Sequence, residues 1–143
     1  MRIKIQKLHE LAIVPCYAHS GDAGLDLFAI KKQEILPGEV ELVRTGIAIA
    51  LPDGYEAQIR PRSGLALNHG ISVLNSPGTI DTGYRGEIGV ILINHGKQKF
   101  SIVPGMKIAQ MVITAFVRIE TEVVADLNST SRAKKGFGST GLT

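Results

Sequence analysis

Residues 75–88 bring together side chains whose types suit chemistry on a small ligand. Asp81 can accept a proton, the Asn75 amide offers a hydrogen-bonding edge, and the ring of Tyr84 offers a stacking face. Four glycine or proline residues in these fourteen positions predict tight turns whose backbone a ligand can approach closely. The segment therefore predicts a β-hairpin or β-arch that carries a site. The alternative is an ordinary hairpin in which Asp81 caps a turn and Tyr84 packs on the surface.

A second cluster, PRSG at residues 61–64, combines groups that suit a phosphate. Arg62 supplies a guanidinium and Ser63 a hydroxyl, and free backbone N–H groups are expected at the start of a predicted helical turn here. The alternative interpretation is a capped turn with a solvated arginine, which is the commoner meaning of an isolated Arg-Ser-Gly.

Two polar side chains stand alone among apolar neighbours. Asp26 lies between Leu25 and Leu27, and in a strand it points to the opposite face from both. It either faces solvent or holds a hydrated metal ion. Gln110 interrupts an apolar run, and a buried amide needs hydrogen-bond partners. It is therefore either a satisfied core residue or part of a site.

The last residues form a polar and basic segment that differs from everything before it. Such a composition cannot bury enough apolar surface to order itself. Arg132 and the two nearby lysines suit phosphate, the glycines and hydroxyls can donate to an anion, and Phe137 offers a ring to a base. A frayed terminus explains the composition equally well. The sequence predicts one domain over residues 1–143, with a core of about 1–127 and a mobile arm of about 128–143.

Composition excludes several classes of protein. Hydrophobic residues make up 44% of the chain and charged residues 20%, which excludes wholesale disorder. The single Cys16 allows neither an internal disulfide nor a cysteine-based zinc site, and this suits a reducing compartment. The four histidines lack metal-ligand spacing.

Charge and hydropathy narrow the expected partners and location. The net charge of +3 is modest and mostly dispersed, so nucleic acid is not expected as a partner. Residues 1–7 lack the apolar core of a signal peptide, and no run is long enough to span a membrane. A cytoplasmic protein without a membrane partner is expected.

Short strands must position these groups, because period-two alternation recurs along the chain and sixteen glycines indicate many turns. Only residues 63–68 predict a helical turn, which Gly70 stops. Residues 88–93 and 108–117 are apolar on both faces; they predict either a sandwich interior or contact with another subunit. The expected fold is an all-β jelly-roll-like sandwich or barrel.

Five segments in order resemble the motifs of the trimeric dUTP diphosphatases, or dUTPases. They span nearly the whole chain at family-like spacing. The matching segments are AGLDL at 23–27, PRSGL at 61–65, GTIDTGYRG at 78–86, IAQM at 108–111 and GFGSTG at 136–141. The resemblance implies a jelly-roll homotrimer that uses Mg²⁺ to hydrolyse dUTP to dUMP and pyrophosphate. That activity keeps uracil out of DNA and supplies dUMP for thymidylate synthesis.

The resemblance also implies a role for each matching residue. Asp81 would activate the water that attacks the α-phosphorus, and Asp26 would hold the magnesium ion through its water shell. Tyr84 would pack under the deoxyribose. The remaining implied substrate-binding residues are Arg62, Ser63, Gly64 and Gln110 on the phosphates; Asn75 with the backbone of Gly78, Thr79 and Ile80 on uracil; and Arg132, Phe137, Gly138, Ser139 and Thr140 from the tail. Each site would combine groups from three chains.

One departure and two rival classes remain. The last family motif usually has glycine where Ala133 and Lys135 stand here, so the path of the tail is open. The dCTP deaminases look similar around Asp81 but carry a catalytic glutamate in the next strand, where this sequence has Ile91 in an apolar run. A non-catalytic nucleotide sensor or capsid-like jelly roll would not need Asp26, Asp81 and the complete tail.

Overall fold

Short antiparallel strands make up nearly all of the regular structure in the computed structural model, which describes residues 1–136. The elements in chain order are β1 (Lys4–Lys7), β2 (Leu25–Phe28), β3 (Gln33–Ile35), β4 (Val40–Arg44), β5 (Ile47–Ala50), β6 (Tyr55–Arg60), α1 (Ser63–His69), β7 (Ile71–Val73), β8 (Gly78–Ile80), β9 (Gly89–Asn94), β10 (Phe100–Ile102) and β11 (Lys107–Ala115). Within these described residues, no helix is both long and apolar enough to cross a membrane.

The strands form two larger sheets and two strand pairs. One sheet has the order β2-β11-β6-β8 and the other β4-β9-β7, while β1 pairs with β5 and β3 with β10. Every pairing is antiparallel. Neighbours in a sheet are mostly distant in sequence, as expected when the chain crosses repeatedly between two layers. The predicted all-β, jelly-roll-like class is confirmed.

The core lies between the layers and draws apolar side chains from almost every strand. Leu27, Ile47, Leu92, Ile108 and Met111 are all at most 1% exposed. Each such side chain contributes about 1.5–3 kcal/mol of hydrophobic stabilisation. Because strand alternation determines which side chains reach this core, it also determines which polar groups face away from it.

Residues 75–88 form an arch between the two sheets. β8 pairs with β6 in the first sheet, whereas β9 pairs with β4 and β7 in the second. The two arms of the segment are therefore not paired with each other. Of the two predicted forms, the hairpin is wrong and the arch is right.

The helical turn ends as its sequence predicts. Gly70 has φ of 68°, a left-handed conformation, and its N–H donates to the Ala66 carbonyl. A glycine fits here because its missing Cβ leaves room for the backbone of Gly96. The turn places Ser63 and Gly64 directly after the end of β6.

Strand β9 has one face in the core and one face outside it. Val90 and Leu92 are buried, but Ile91 and Ile93 are only half-buried. On the neighbouring β4, Leu42 pairs with Ile91 and is 52% exposed. The outer face of this sheet is thus apolar and incompletely covered by the described chain.

Candidate functional site

A cavity of about 230 Å³ opens beside the arch. It brings together all the sequence-predicted residues of this segment: Asn75, Gly78, Thr79, Ile80, Asp81 and Tyr84. Strand β8 fixes three of them through its pairing with β6, in which Gly78 lies opposite Ile59 and Ile80 opposite Ala57. Four apolar side chains also form part of the cavity wall: Ile59, Val73, Val90 and Ile91. A cavity of this kind, which combines apolar side chains with several convergent polar groups, suits a base and a sugar.

Tight turns hold Asp81 and Tyr84 at the mouth of this cavity. The Tyr84 N–H donates to the Asp81 carbonyl (3.0 Å), and the Thr82 hydroxyl donates to the Tyr55 carbonyl on β6 (2.7 Å). The Asp81 side chain is exposed, so it can meet a water molecule. A side chain at Gly86 would run into the Tyr84 ring, which explains the glycine at that position.

A second cavity, of about 520 Å³, collects the predicted phosphate-type residues. It is lined by Asp26, Arg62, Ser63, Gly64 and Gln110, among others. Gln110 on β11 lies opposite Asp26 on β2 and opposite Arg60 on β6. Its amide nitrogen donates to the Pro61 carbonyl (2.9 Å). Gln110 is therefore half-buried and not a core residue. Its amide nitrogen has a partner, and the residue lines the cavity, so its role in a site stays a prediction.

Asp26 does not face solvent, which excludes that alternative. It is 6% exposed and lies between two cations, with Arg62 Nε 3.2 Å from Oδ1 and Lys107 Nζ 2.6 Å from Oδ2. Oδ2 is in an ion pair with the ammonium but accepts no hydrogen bond from the described residues. Charge pairing thus stabilises a buried carboxylate whose second oxygen still has acceptor capacity.

Nothing in the sequence predicts that Lys107 lies beside Asp26. In regular alternation, Lys107 and Gln110 point to opposite faces of β11. The pairing of β11 with β2 shifts register between Lys107 and Ala109, and such a bulge turns a side chain away from its expected face. Only an irregular ladder brings both residues to Asp26.

Glu87 is the other residue of the site that the sequence did not suggest. It lines the arch cavity and pairs with Arg44, while the Gly46 N–H donates to its Oε1 (2.8 Å). The hydrogen bond from Arg44 and the one from Gly46 hold the pKa of Glu87 below its usual value, although partial burial opposes them. Both partners lie about forty positions away, so local sequence could not reveal them.

No residue of the described part of the chain lines both cavities. Strands β2 and β8 are the outer strands of the four-stranded sheet, which separates them by about 14 Å at the usual strand spacing. Ile80 also lies about 10 Å further along the sheet than Asp26, since Ile80 is level with Ile113 and Asp26 with Gln110. Asp81 follows Ile80 and lies beyond the end of β8. Within one chain, the exposed carboxylate of Asp81 is therefore far from the second cavity, whose residues suit a phosphate.

The described part of the tail contacts neither cavity. Arg132 is exposed and its Nε donates to the Lys135 carbonyl (3.2 Å), while Ala133 has a left-handed φ of 47°. Glycine adopts that conformation more readily than alanine, so the departure from the resembled motif falls at a position that favours glycine. Phe137, Gly138, Ser139 and Thr140 lie outside the described residues.

Comparison with known proteins adds an independent line of support. The family model described as dUTPase matches residues 10–141. The deoxyuridine 5'-triphosphate nucleotidohydrolase of Gloeothece citriformis is 64% identical over the whole chain and 99% of its own length. The enzyme of the same name from Alkaliphilus metalliredigens is 59% identical over 98% of this chain and 97% of its own.

Solved structures of the same kind superpose closely. A mutant of the Staphylococcus bacteriophage 80alpha dUTPase with dUpNHpp has a TM-score of 0.91 and 25% identity, and the alignment covers 99% of both chains. A mutant of the dUTPase from phage phi11 of S. aureus, described with a structural Mg(II) ion, has a TM-score of 0.83 and 25% identity. It covers 90% of this chain and all of its own.

Proposed function

The chain belongs to the dUTPase family and hydrolyses dUTP, and we propose that Asp81 is the general base of that reaction. The supporting observation is an exposed carboxylate at the mouth of a cavity that also contains Asn75 and Tyr84. Asp81 accepts a proton from a water molecule, which attacks the α-phosphorus of dUTP. Pyrophosphate leaves and dUMP remains.

The arch cavity holds the nucleoside. Asn75 and the backbone of Gly78, Thr79 and Ile80 match the hydrogen-bonding edge of uracil and exclude a methyl group on C5. Tyr84 packs under the deoxyribose, where a 2′-hydroxyl would clash. Ile91 lines this cavity where the similar deaminases carry an acid-base glutamate, so deamination is not expected.

A turnover assay distinguishes these two reactions directly. Pyrophosphate release from dUTP is expected, while dCTP should give neither pyrophosphate at a comparable rate nor ammonia. Ammonia release from dCTP would contradict the assignment of the arch cavity to uracil. The assay needs only the purified chain, Mg²⁺ and the two nucleotides.

Replacing Tyr84 with alanine should weaken discrimination against UTP more than it weakens dUTP hydrolysis. The ring excludes one hydroxyl by its volume, which is specificity by steric conflict. The ratio of kcat/KM for dUTP to that for UTP is the measurement. Tyr84→Phe is the matched comparison: it keeps the ring but loses the hydroxyl contact with the Glu87 carbonyl, so it should keep more of the ratio than Tyr84→Ala. An unchanged ratio in Tyr84→Ala would refute this role.

The second cavity holds the phosphates. Arg62 and Ser63 offer charged and neutral donors, and Gly64 and Gln110 line the same space. Lys107 adds a cation within 2.6 Å of Asp26. A triphosphate carries several negative charges, and charge-assisted hydrogen bonds of this kind are the strong ones.

The donor set around Asp26 fits a magnesium ion that brings its own water and phosphate ligands. Within residues 1–136 no group of three or more His, Cys, Asp or Glu side chains could form a protein cage, and Mg²⁺ commonly uses one carboxylate together with substrate phosphates. Oδ2 of Asp26 has acceptor capacity for a metal-bound water once the Lys107 ammonium moves aside. The ion would neutralise charge on the leaving pyrophosphate.

The complete site is formed in a homotrimer. Asp26, Arg62 and Gln110 come from one chain and the arch from a second, because a single chain separates the two cavities. The apolar outer face of sheet β4-β9-β7, with Leu42 half-exposed on it, suits contact with another copy. The free Cys16 thiol suits a cytoplasmic location.

The third chain contributes the tail, which closes the site. The described residues 128–136 are exposed and belong to no strand or helix. Arg132, Ser139 and Thr140 then bind the phosphates, Gly138 lies in the same motif, and Phe137 stacks on uracil. Closure by a polar segment excludes water from the reacting groups once the substrate is bound.

Removing residues 129–143 should give a folded trimer with little activity. The described part of this segment adds no side chain to the core, so the melting temperature without ligand should hardly change. Hydrolysis of dUTP should fall by about tenfold to a hundredfold, as expected when a closing element is lost. A clear drop in melting temperature would show that the segment is structural and not a lid.

A further inference from the structure

The arch is fixed to the rest of the fold at both of its ends. At the β8 end, the Thr82 hydroxyl donates to the Tyr55 carbonyl. At the β9 end, the Ile88 N–H donates to the Ile47 carbonyl (2.8 Å), and the Thr45 hydroxyl donates to the Ile88 carbonyl (2.6 Å). Tyr84 lies between these anchors, and Asp81 directly precedes the first one, where its carbonyl accepts from the Tyr84 N–H (3.0 Å). Both residues are exposed.

Glu87 adds a side-chain clamp to the second anchor. Its Oε2 accepts from both Nε (2.7 Å) and Nη2 of Arg44, and its Oε1 accepts from the Gly46 N–H (2.8 Å). The Glu87 side chain is only 13% exposed, although that of Arg44 is 55% exposed. Gly46 itself is constrained, with φ of 69° and little space for a Cβ against His9 and Ala12.

The same residue also restrains Tyr84. The Tyr84 hydroxyl donates to the Glu87 carbonyl (3.0 Å), and the ring packs over Gly86. One residue thus joins the Tyr84 ring to the turn between β4 and β5. Any shift of the Glu87 backbone moves the acceptor of the Tyr84 hydroxyl.

We propose that Glu87 is a positioning residue for dUTP hydrolysis, which fixes the arch so that Asp81 and Tyr84 keep their places around the nucleotide. The inference rests on the function proposed above for those two residues. We assign Glu87 no proton transfer, since within residues 1–136 its carboxylate hydrogen bonds go to Arg44 and Gly46. Preorganised sites depend on such supporting contacts, since small displacements of reacting groups are costly.

Kinetics of Glu87→Ala test the clamp. The variant should lower kcat for dUTP by about tenfold to a hundredfold, and should reduce the dUTP/UTP ratio of kcat/KM because Tyr84 is no longer fixed. Glu87→Gln should recover part of both losses, since its amide oxygen still accepts from Gly46. The kcat and the dUTP/UTP ratio of Arg44→Ala should both lie between those of Glu87→Gln and those of the wild type.

Glu34→Ala is the matched control. It breaks another glutamate ion pair, with Lys99, but both side chains of that pair are about half exposed and far from the arch in sequence. It should leave kcat and the dUTP/UTP ratio unchanged. If Glu87→Ala lowers the melting temperature but leaves both quantities unchanged in the folded trimer, then Glu87 is merely structural and the proposal fails.

The design separates failure of this inference from failure of the proposed function. Suppose Tyr84→Ala leaves the dUTP/UTP ratio unchanged: the role of Tyr84 is then wrong, but the kcat of Glu87→Ala still tests the support of Asp81. If Asp81→Asn is fully active, the base is misassigned whatever Glu87 does. Full kcat and full selectivity in Glu87→Ala overturn the clamp alone.

The clamp also predicts a dependence of stability on pH. The Arg44 and Gly46 contacts lower the pKa of Glu87 from its usual 4.5, and the nearby His9 acts in the same direction. A lowered folded-state pKa means that the stabilisation is complete above the unfolded value and is lost as pH falls through the folded value. The melting-temperature gap between wild type and Glu87→Gln should therefore narrow in acid. A gap that stays constant down to pH of about 3 would contradict an ionised clamp.

Discussion

Asp81→Asn should lower kcat for dUTP by about 10²–10⁴-fold, because an amide cannot accept the proton of the attacking water. The substitution conserves size and shape at an exposed position, so neither folding nor nucleotide binding should suffer. A binding measurement with a non-hydrolysable dUTP analogue should give a Kd close to that of the wild type. The predicted signature is therefore lost turnover with retained affinity.

Asp53→Asn is the control for this experiment. Asp53 is also exposed and lies in the turn between β5 and β6, outside the residues that line either cavity. It should hydrolyse dUTP at the wild-type rate. Near-normal turnover by purified Asp81→Asn would show that another group is the base.

Alternation in the sequence predicts strands such as β5 and β6, because alternate apolar side chains in them reach the core. Ile47 and Ile49 mark β5, and Ala57 and Ile59 mark β6, with all four side chains buried. The helical turn was equally predictable, because Gly70 alone among nearby residues adopts a left-handed φ without strain. Local chemistry determines these elements, so local sequence reveals them.

Long-range pairing was not predictable in the same way. Glu87 follows a run of turn residues, and nothing near it in the sequence indicates its partners. These are Arg44 at the end of β4 and Gly46 in the turn between β4 and β5. Lys107 reaches Asp26 only through a register shift. Both contacts depend on how strands distant in sequence are placed side by side, which alternation does not specify.

The candidate residues themselves were predictable by type and motif, but their grouping was not. Composition indicated a base, phosphate donors and a stacking ring, whereas the structure divides them between two cavities. That division follows from sheet order, since β8 and β2 are opposite edges of one sheet. In the proposed trimer, the residues of the arch cavity in one chain lie next to those of the second cavity in another.

Mixed trimers provide the strongest test of the shared site. In the proposed trimer, each site takes the second cavity from one chain, the arch from another and the tail from the third. The Asp81→Asn chain has a defective arch but an intact tail, while the chain truncated at residue 128 has the reverse. Each homotrimer should be nearly inactive, because every site lacks one required element.

Co-refolding the two defective chains should restore activity. In any mixed ring of three, one site combines an intact arch from one neighbour with an intact tail from the next. Random assembly of equal amounts makes about three-quarters of the trimers mixed, so about a quarter of the wild-type activity should return. If one chain supplied both arch and tail to a site, no mixture could combine them. Activity that stays at the level of the separate variants, after mass spectrometry has shown that mixed trimers form, would therefore rule out the three-chain site.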